Sequence, residues 1–289
     1  MRESSGRLSV CATPIGNLGD VTLRVLDALR EADLIAAEDT RITRRLLARH
    51  AIETPLEPYH AHNLERRTPV LVERIAAGAR IALVSDAGTP GVSDPGAHLV
   101  DACLSAGVEV EVLPGPSAIV TALVASGLPT HAFYFGGFLP RKAGERRTRL
   151  ESLQHLDATL VFYESPRRTA STLEAIAKVL PGRDAAMARE LTKLHEEVVR
   201  GPVAEVAAGL ADRELKGEVV LLVGPPRRGE RAVVDSEAVR ARLQELLEEG
   251  LSRSAAVKLA AADLGVPRND VYRIALDTED RGEDPATSA

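Results

Sequence analysis

Residues 81–96 read Ile-Ala-Leu-Val-Ser-Asp-Ala-Gly-Thr-Pro-Gly-Val-Ser-Asp-Pro-Gly, and this stretch narrows the choice of fold more than any other. The apolar run Ile81 to Val84 suits a buried strand, and the amphipathic run Ala97 to Cys103 suits a helix. Between them, Gly88, Gly91 and Gly96 admit backbone angles that a Cβ forbids, while Pro90 and Pro95 fix φ and remove N–H donors. The pattern predicts a strand, a long shaped loop and a helix start. Such a loop can present backbone amides and Asp86 at the carboxyl end of a strand, the ligand edge of an open α/β sheet. Taken alone, it reads as a rigid connection. A second loop of the same kind changes that. Glu109 to Leu113 reads as a strand running into Pro114-Gly115-Pro116-Ser117-Ala118 and then a helix rich in small residues. Pro116 is expected in the first turn of that helix, where Ser117 and the free amides can hold a polar or anionic group. The crevice between the two loops is the expected site.

With 289 residues the chain has room for two domains. Hydrophobic residues make up 45% and aromatic ones 3%, with no Trp, so the core must be mostly Leu, Val, Ile and Ala. A net charge of −6 argues against a generally basic nucleic-acid binder, though not against local basic patches. Cys11 and Cys103 have no metal-type spacing and form no disulfide framework, which points to a reducing cytoplasm. The N-terminus has no apolar signal region, and no run reaches membrane-spanning length.

In chain order, Leu8 to Ala12 reads as the first strand. It ends in Thr13-Pro14-Ile15-Gly16-Asn17-Leu18-Gly19-Asp20, with Asp20 or Thr22 as the cap of a helix lined by Leu23, Leu26 and Leu29. Asp33 to Ala37 is a second strand, followed by Glu38-Asp39-Thr40-Arg41 and a basic helix carrying Arg44, Arg45 and Arg49. Those arginines are a solvated helix face or a polyanion patch. Residues 50–63 are loop-like and carry Tyr59, His60, His62 and Asn63. A substrate-contacting loop fits better than a metal site, because no Cys and no His-Glu-x-x-His partner accompanies the two histidines. His195-Glu196-Glu197 likewise lacks the second histidine of a zinc helix. A helix is expected over 64–77.

The pattern restarts near Leu128-Pro129. His131 to Phe135 is a strand, Gly136 to Pro140 a turn, and Arg141, Lys142, Arg146, Arg147 and Arg149 form the densest basic segment, suited to phosphate contacts. Thr159 to Tyr163 is a strand ending in Glu164-Ser165-Pro166-Arg167-Arg168. Asp184 to Ala188 is a strand that delivers Arg189, Glu190 and Lys193. Glu218 to Val223, behind Lys216-Gly217, is the last strand. Two α/β domains are therefore expected, 1–118 and 119–228. Residues 235–277 instead show three short helical patterns, with Ser252 or Ser254 capping the second and Asn269 or Asp270 the third. Their spacing suits a helix-turn-helix or a small docking domain. Residues 278–289 read as a polar, disordered tail.

There is no G-x-G-x-x-G fingerprint, no P-loop lysine motif and no G-x-S-x-G elbow, which disfavours the usual nicotinamide, nucleotide-hydrolysis and serine-hydrolase chemistries. Spacing alone leads to a two-domain α/β enzyme with a cleft between the domains and names no reaction. Eight blocks go further: Thr13-Pro14-Ile15-Gly16-Asn17-Leu18, Ala37-Glu38-Asp39-Thr40-Arg41, Val84 to Pro90, Pro114-Gly115-Pro116, Gly137-Phe138-Leu139-Pro140, Phe162-Tyr163-Glu164-Ser165, Arg189-Glu190-Leu191-Thr192-Lys193 and Lys216-Gly217-Glu218. In that order they resemble the ribosomal RNA small subunit methyltransferase I family, within the tetrapyrrole-methylase-like superfamily of S-adenosylmethionine (SAM) methyltransferases. The resemblance covers about residues 7–226, and a small helical C-terminal domain is also expected in the family. The Thr13-Pro-Ile-Gly block differs from the Gly-rich first loop of the tetrapyrrole enzymes and favours the RNA branch.

The resemblance implies 2′-O-methylation of a cytidine ribose in the decoding region of 16S rRNA, by a homodimer acting on the assembled small ribosomal subunit, with SAM as cofactor and no metal. Carried over by motif position, Thr13 and Pro14 line the cleft. Ser85, Asp86, Ala87, Gly88 and Thr89 hold the methionine end of SAM, with Val92 near it. Ser117 and Ala118 contact SAM, and Tyr163, Ala188 and Gly217 enclose the adenosine. A ribose hydroxyl is a weak nucleophile, so a base or a cation that lowers its pKa helps; Glu164, Glu190 and Lys193 are the candidates. RNA affinity is expected from Arg41, Arg44, Arg45 and Arg49, from His60 and His62, from Arg141 to Arg149, from Arg189, and from Lys258, Arg268 and Arg273. Two other readings stand beside this one. A small-molecule methyltransferase of the same superfamily, acting on a tetrapyrrole, is disfavoured by the small number of aromatics available to stack a macrocycle and by the basic segments. A non-enzymatic nucleic-acid binder built on the C-terminal helices leaves the shaped loops unexplained.

Overall fold

The computed structural model describes residues 6–226, 236–264, 266 and 268–279. They fall into two compact units divided at Pro225/Pro226. The first unit holds two five-stranded sheets. The first sheet contains β1 (Arg7–Cys11), β2 (Leu34–Ala37), β3 (Leu56–Pro58), β4 (Arg80–Val84) and β5 (Glu109–Leu113) in the order β3-β2-β4-β1-β5, all parallel. Between these strands run α1 (Leu23–Glu31), α2 (Thr40–Arg49), α3 (Leu64–Ala76) and α4 (Gly96–Ser105).

Side-chain alternation explains the layering. On β2 and β4, Ile35, Ala37, Ala82 and Val84 meet Leu26 and Leu29 of α1 and Leu46 and Leu47 of α2. Their neighbours Leu34, Ala36, Ile81 and Leu83 meet Leu71 and Ile75 of α3 and Leu99 and Cys103 of α4. Successive strand residues point to opposite faces, so continuous apolar runs are what a sheet covered on both sides requires. Thr22 caps α1, its Oγ1 accepting the Val25 N–H at 3.2 Å, whereas Asp20 belongs to a preceding turn of 3-10 helix. Burial pushes the Cys11 thiol up to about 12 and the Cys103 thiol up to about 11, so both remain neutral core side chains.

After α5 (Ala118–Ser126) comes the second sheet, ordered β6-β7-β10-β8-β9. Its strands are β6 (Phe133–Phe138), β7 (Thr159–Glu164), β8 (Asp184–Arg189), β9 (Glu197–Pro202) and β10 (Val219–Val223), and β10 is antiparallel to both of its neighbours. One face carries α6 (Ala143–Glu151), α7 (Thr169–Val179) and α8 (Val203–Leu210) over Leu160, Phe162, Met187 and Leu221. The other face packs Val161, Ala186, Ala188 and Val220 against Leu123 of α5 and Ile15 of the first loop.

Four sequence expectations change. The stretch 50–63 contains β3, too short and polar to announce itself. The strand β9 also escapes the reading, because Glu197 and Arg200 interrupt its apolar residues. Gly136 and Gly137 are not a turn; they form a bulge inside β6. Pro116 lies before α5, whose cap is Ser117.

Among its described residues the second unit has α9 (Ser236–Glu248), α10 (Arg253–Leu264) and α11 (Arg268–Glu279), packed around Val239, Leu243, Val257, Ala260 and Val271. Ser252 precedes α10, its Oγ accepting the Ala255 N–H. Asn269 and Asp270 stand inside the first turn of α11, not at its cap, and Thr278 and Glu279 close that helix. The rest of the expected tail lies outside the described residues, as do Gly265 and the side chains of Arg268 and Asn269. Among the described residues, no helix is long and apolar enough to cross a membrane.

Candidate active site

The strand order brings the loops after β1, β4 and β5 together at the carboxyl edge of the first sheet, opposite the α5-bearing face of the second. A cavity of about 440 Å³ opens there, within the range of small-ligand sites. Thr13 builds its floor. Its N–H donates to Gly88 O at 2.9 Å, its carbonyl accepts the Gly88 N–H at 3.0 Å, and its Oγ1 donates to Ser85 O at 3.0 Å. Gly88 takes φ +79°, a conformation that favours glycine. Asp94 Oδ1 shapes the far end of the loop, accepting the N–H groups of Gly91 at 2.8 Å and Gly96 at 2.7 Å.

Carboxylates ring one side. Asp86 Oδ1 accepts the Asp39 N–H at 2.9 Å, and Glu38 Oε2 accepts the Asp86 N–H at 3.3 Å. Burial raises the pKa of Glu38 and of Asp86, with neighbouring carboxylates adding to it. Such a pair is eased by a cation. Across from it, Ala118 and Ile119 begin α5, where N–H groups have no intrahelical acceptor. Tyr163, Pro166 and Val220 supply apolar wall. Burial also raises the pKa of the Tyr163 hydroxyl, keeping it protonated.

A strained turn closes the second lobe's side. Glu190 takes φ +50° and Thr192 φ +67°, conformations that cost non-glycine residues free energy and persist only under constraint. The constraint is visible. Glu190 Oε1 accepts Lys193 Nζ at 2.8 Å and the Glu218 N–H at 3.0 Å, and Lys193 Nζ also reaches Glu218 Oε2 at 3.0 Å. Thr192 Oγ1 accepts the Asn17 N–H at 3.0 Å, and a Cβ on Gly16 would lie 2.5 Å from Lys193 Cγ. The first loop is thus seated on this turn. The hydrogen bond from Lys193 lowers the Glu190 pKa. Partial burial works to lower that of Lys193, but its two carboxylate partners outweigh it and the net shift is upward.

Of the residues expected to hold the donor, Ser85 through Thr89, Val92, Ser117, Ala118, Tyr163 and Gly217 all line the cavity. Three do not. Thr13 and Pro14 are buried beneath it, and Ala188 is fully buried in the core of the second sheet, because β8 turns that side chain toward α5. Residues the motifs did not single out also line it, notably Ile15, Glu38, Phe138, Leu191 and Glu218. Each lies inside or beside one of the eight blocks, so adjacency was the available signal.

The three candidate catalytic groups differ. Glu164 is 3% exposed and lines the cavity with its oxygens engaged. Oε1 accepts the Ser165 N–H at 2.7 Å, and Oε2 meets Thr172 Oγ1 at 2.7 Å and the Arg168 guanidinium at 3.2 Å. Glu190 and Lys193 are paired as described. Among the expected RNA contacts, Arg189 is held by Glu197 at 2.6 Å on the second sheet, which removes it from a free phosphate-binding role. Arg41 pairs with Asp39, whose pKa falls to about 2 through that hydrogen bond. Arg147 pairs with Glu151, Lys142 with Glu145, and Arg149 donates to Tyr134 Oη. Arg44, Arg45, Arg49 and Arg141 are exposed, as is Lys258, while Arg273 pairs with Asp270. His60 and His62 stand past the carboxyl end of β3 with ring centroids 5.9 Å apart. Among the described residues, no three His, Cys, Asp or Glu side chains gather as a metal site would need.

Comparison with known proteins agrees with this arrangement. The Tetrapyrrole (Corrin/Porphyrin) Methylases family matches residues 7–207, and the RsmI C-terminal HTH domain matches residues 233–279. The chain is 44% identical over 276 residues to the ribosomal RNA small subunit methyltransferase I of Halalkalibacterium halodurans, covering 94% of this chain and 96% of that protein. It superposes on the methyltransferase CobJ with a TM-score of 0.59 and 28% identity, over 76% of this chain and 95% of that one. Uroporphyrin-III C-methyltransferase from Thermus thermophilus, solved with S-adenosylhomocysteine, shares the fold at a TM-score of 0.56 and 22% identity, over 76% of this chain and 97% of that one. The chain belongs to the tetrapyrrole methylase family of SAM-dependent methyltransferases, in its ribosomal RNA small subunit methyltransferase I branch.

Proposed function

We propose that the protein methylates the 2′-oxygen of a cytidine ribose in the decoding region of 16S rRNA, acting as a homodimer on the assembled small ribosomal subunit. One observation carries the choice of acceptor. The CobJ match accounts for 95% of that chain but 76% of this one, whereas the rRNA methyltransferase match runs through the helical C-terminal unit as well. The chain is therefore a methylase scaffold extended by the part that the RNA branch shares.

The cavity suits SAM chemically. Glu38, Asp86 and Asp94 offer negative charge to its sulfonium and ammonium, the first amides of α5 offer donors to its carboxylate, and Tyr163 and Gly217 flank the adenosine. Bound there, SAM supplies an already activated methyl group. The protein's task is then to place the ribose oxygen in line behind that methyl and keep water away. Loops 85–94 and 190–193 are both pinned by hydrogen bonds, as positioning requires. Glu164 holds the start of α7, and Glu190 with Lys193 fixes the wall that carries Glu218. Alignment then contributes more to the rate than a dedicated base.

The test uses purified protein, SAM with a labelled methyl group, and small subunits lacking native methylations. Alkali cannot cut beside a 2′-O-methyl ribose. Label in an alkali-resistant dinucleotide containing cytidine is the expected result. No label on subunits, with SAM binding intact, would move the acceptor to a small molecule.

A further inference from the structure

All four phenylalanines of the chain and two of its four tyrosines stand on β6 and β7. Two of them are out of place for core residues, Phe133 at 46% exposed and, further out, Phe138. Phe138 is 58% exposed, yet it lines the cavity. Its position comes from the bulge in β6. Phe135 pairs with Val161 and Phe138 with Tyr163, so Gly136 and Gly137 together oppose Phe162 alone. The extra residue reverses the alternation and returns Phe138 to the face that Phe135 and Tyr163 occupy.

The bulge admits few other residues. A Cβ on Gly136 would lie 2.5 Å from the Phe162 ring, and Gly137 takes φ +62°. The three aromatic rings then support one another. Tyr163 meets Phe135 edge-on at 5.0 Å and Phe138 at 5.7 Å with a 58° tilt. The outer face of Phe138 is left uncovered at the mouth, on the same strand end that leads to exposed Arg141.

We propose that Phe138 is a stacking platform for a nucleobase, that of the acceptor nucleotide. This rests on the function proposed above. The 2′-oxygen has to stand in line behind the donor methyl inside the cavity, and a nucleotide that has left its stack brings it there with its base free to be received. Unstacked bases are characteristically received on exposed aromatic faces. Phe138 offers such a face beside the donor cavity, and Arg141 stands three residues on for an adjoining phosphate.

The adenine of SAM has the same stacking chemistry, and the test separates the two. For wild type, Phe138→Leu and Phe138→Tyr, calorimetry gives the Kd for S-adenosylhomocysteine, and labelled transfer gives kcat/KM on unmethylated small subunits. Phe138→Leu should keep its Kd within about twofold and lose about tenfold to a hundredfold in kcat/KM. Phe138→Tyr restores an aromatic face and should recover most of that loss. Wild-type kcat/KM in Phe138→Leu, or a loss that Tyr does not repair, overturns the platform. A Kd weakened as much as kcat/KM assigns the ring to adenine instead. If the wild type binds S-adenosylhomocysteine but transfers nothing to subunits, the acceptor reading fails first and takes the platform with it.

Discussion

Gly217 faces the carboxylate of Glu190 with no space between them for a side chain: a Cβ there would overlap Oε1, the atom that accepts both Lys193 Nζ and the Glu218 N–H. Gly217 also takes φ +86°. Gly107, at φ +69°, has nothing within 4 Å of the same added atom. Urea denaturation should therefore show Gly107→Ala losing about 1–2 kcal/mol from strain alone, and Gly217→Ala about 2–4 kcal/mol from strain plus overlap. Only Gly217→Ala should also weaken S-adenosylhomocysteine binding. Equal losses in the two variants would mean that the Glu190 carboxylate yields freely.

Glu38 and Asp86 lead to a pH dependence with a definite sign. Burial raises both carboxyl pKa values in the folded protein, so folding binds protons more tightly there than the unfolded chain does. Their contribution to stability is full below the ordinary values of 4.5 and 3.8 and is lost as pH rises through the raised ones. Glu38→Gln should therefore stabilise the ligand-free protein at pH 8 and give no gain near pH 4. The same variant should bind SAM more weakly, and lose less affinity for S-adenosylhomocysteine, which lacks the sulfonium charge. Thermal melts across pH and calorimetry with both ligands check the pair of expectations.

For Glu164, stability and turnover should part company. Glu164→Ala leaves Thr172 and the Ser165 N–H without their acceptor and takes the carboxylate from Arg168, which keeps the Leu139 and Pro140 carbonyls, a loss of about 2–4 kcal/mol. Glu164→Gln keeps an acceptor and should stay folded with kcat close to wild type. A hundredfold fall in kcat for Glu164→Gln, with stability intact, would restore Glu164 as the proton acceptor.

Charge pairing predicts which arginines matter to RNA. Arg44, Arg45 and Arg141 are exposed, whereas Arg147 is engaged by Glu151 at 2.7 Å. Substituting each of the first three by Ala should lower subunit affinity and reduce the slope of log affinity against log salt by about one per lost phosphate contact. Arg147→Ala should change the slope less. Filter binding across a salt series distinguishes them.

Much of this was legible in the chain itself. Continuous apolar runs such as Leu34 to Ala37 and Ile81 to Val84 marked strands covered on both faces, and the Gly/Pro loops after β4 and β5 marked the cavity. The losses have physical causes. The strand β9 hides because its alternation is broken by Glu197 and Arg200, whose partners, Arg189 across the hairpin and the Ala125 carbonyl 75 residues away, appear only once the sheet is formed. Phe138 hides because a bulge, which no period reveals, decides the face on which it emerges. Thr13 stands one hydrogen bond beneath the cavity and not in it, a distinction between floor and lining that motif position cannot make.

The placement of β10 has a consequence for how the protein is made. It is the last strand in sequence, yet it is central in its sheet, between β7 and β8. Until Val219–Val223 has been synthesised, the β6/β7 pair and the β8/β9 hairpin have no shared partner, and each exposes an unpaired edge. Long-range pairing of this kind is slow and prone to aggregation. The residues that complete the sheet adjoin those that complete the cavity, Gly217 and Glu218. A nascent chain therefore cannot acquire donor binding in stages: it gains the ability when the second lobe closes, so ligand binding doubles as a report of finished folding.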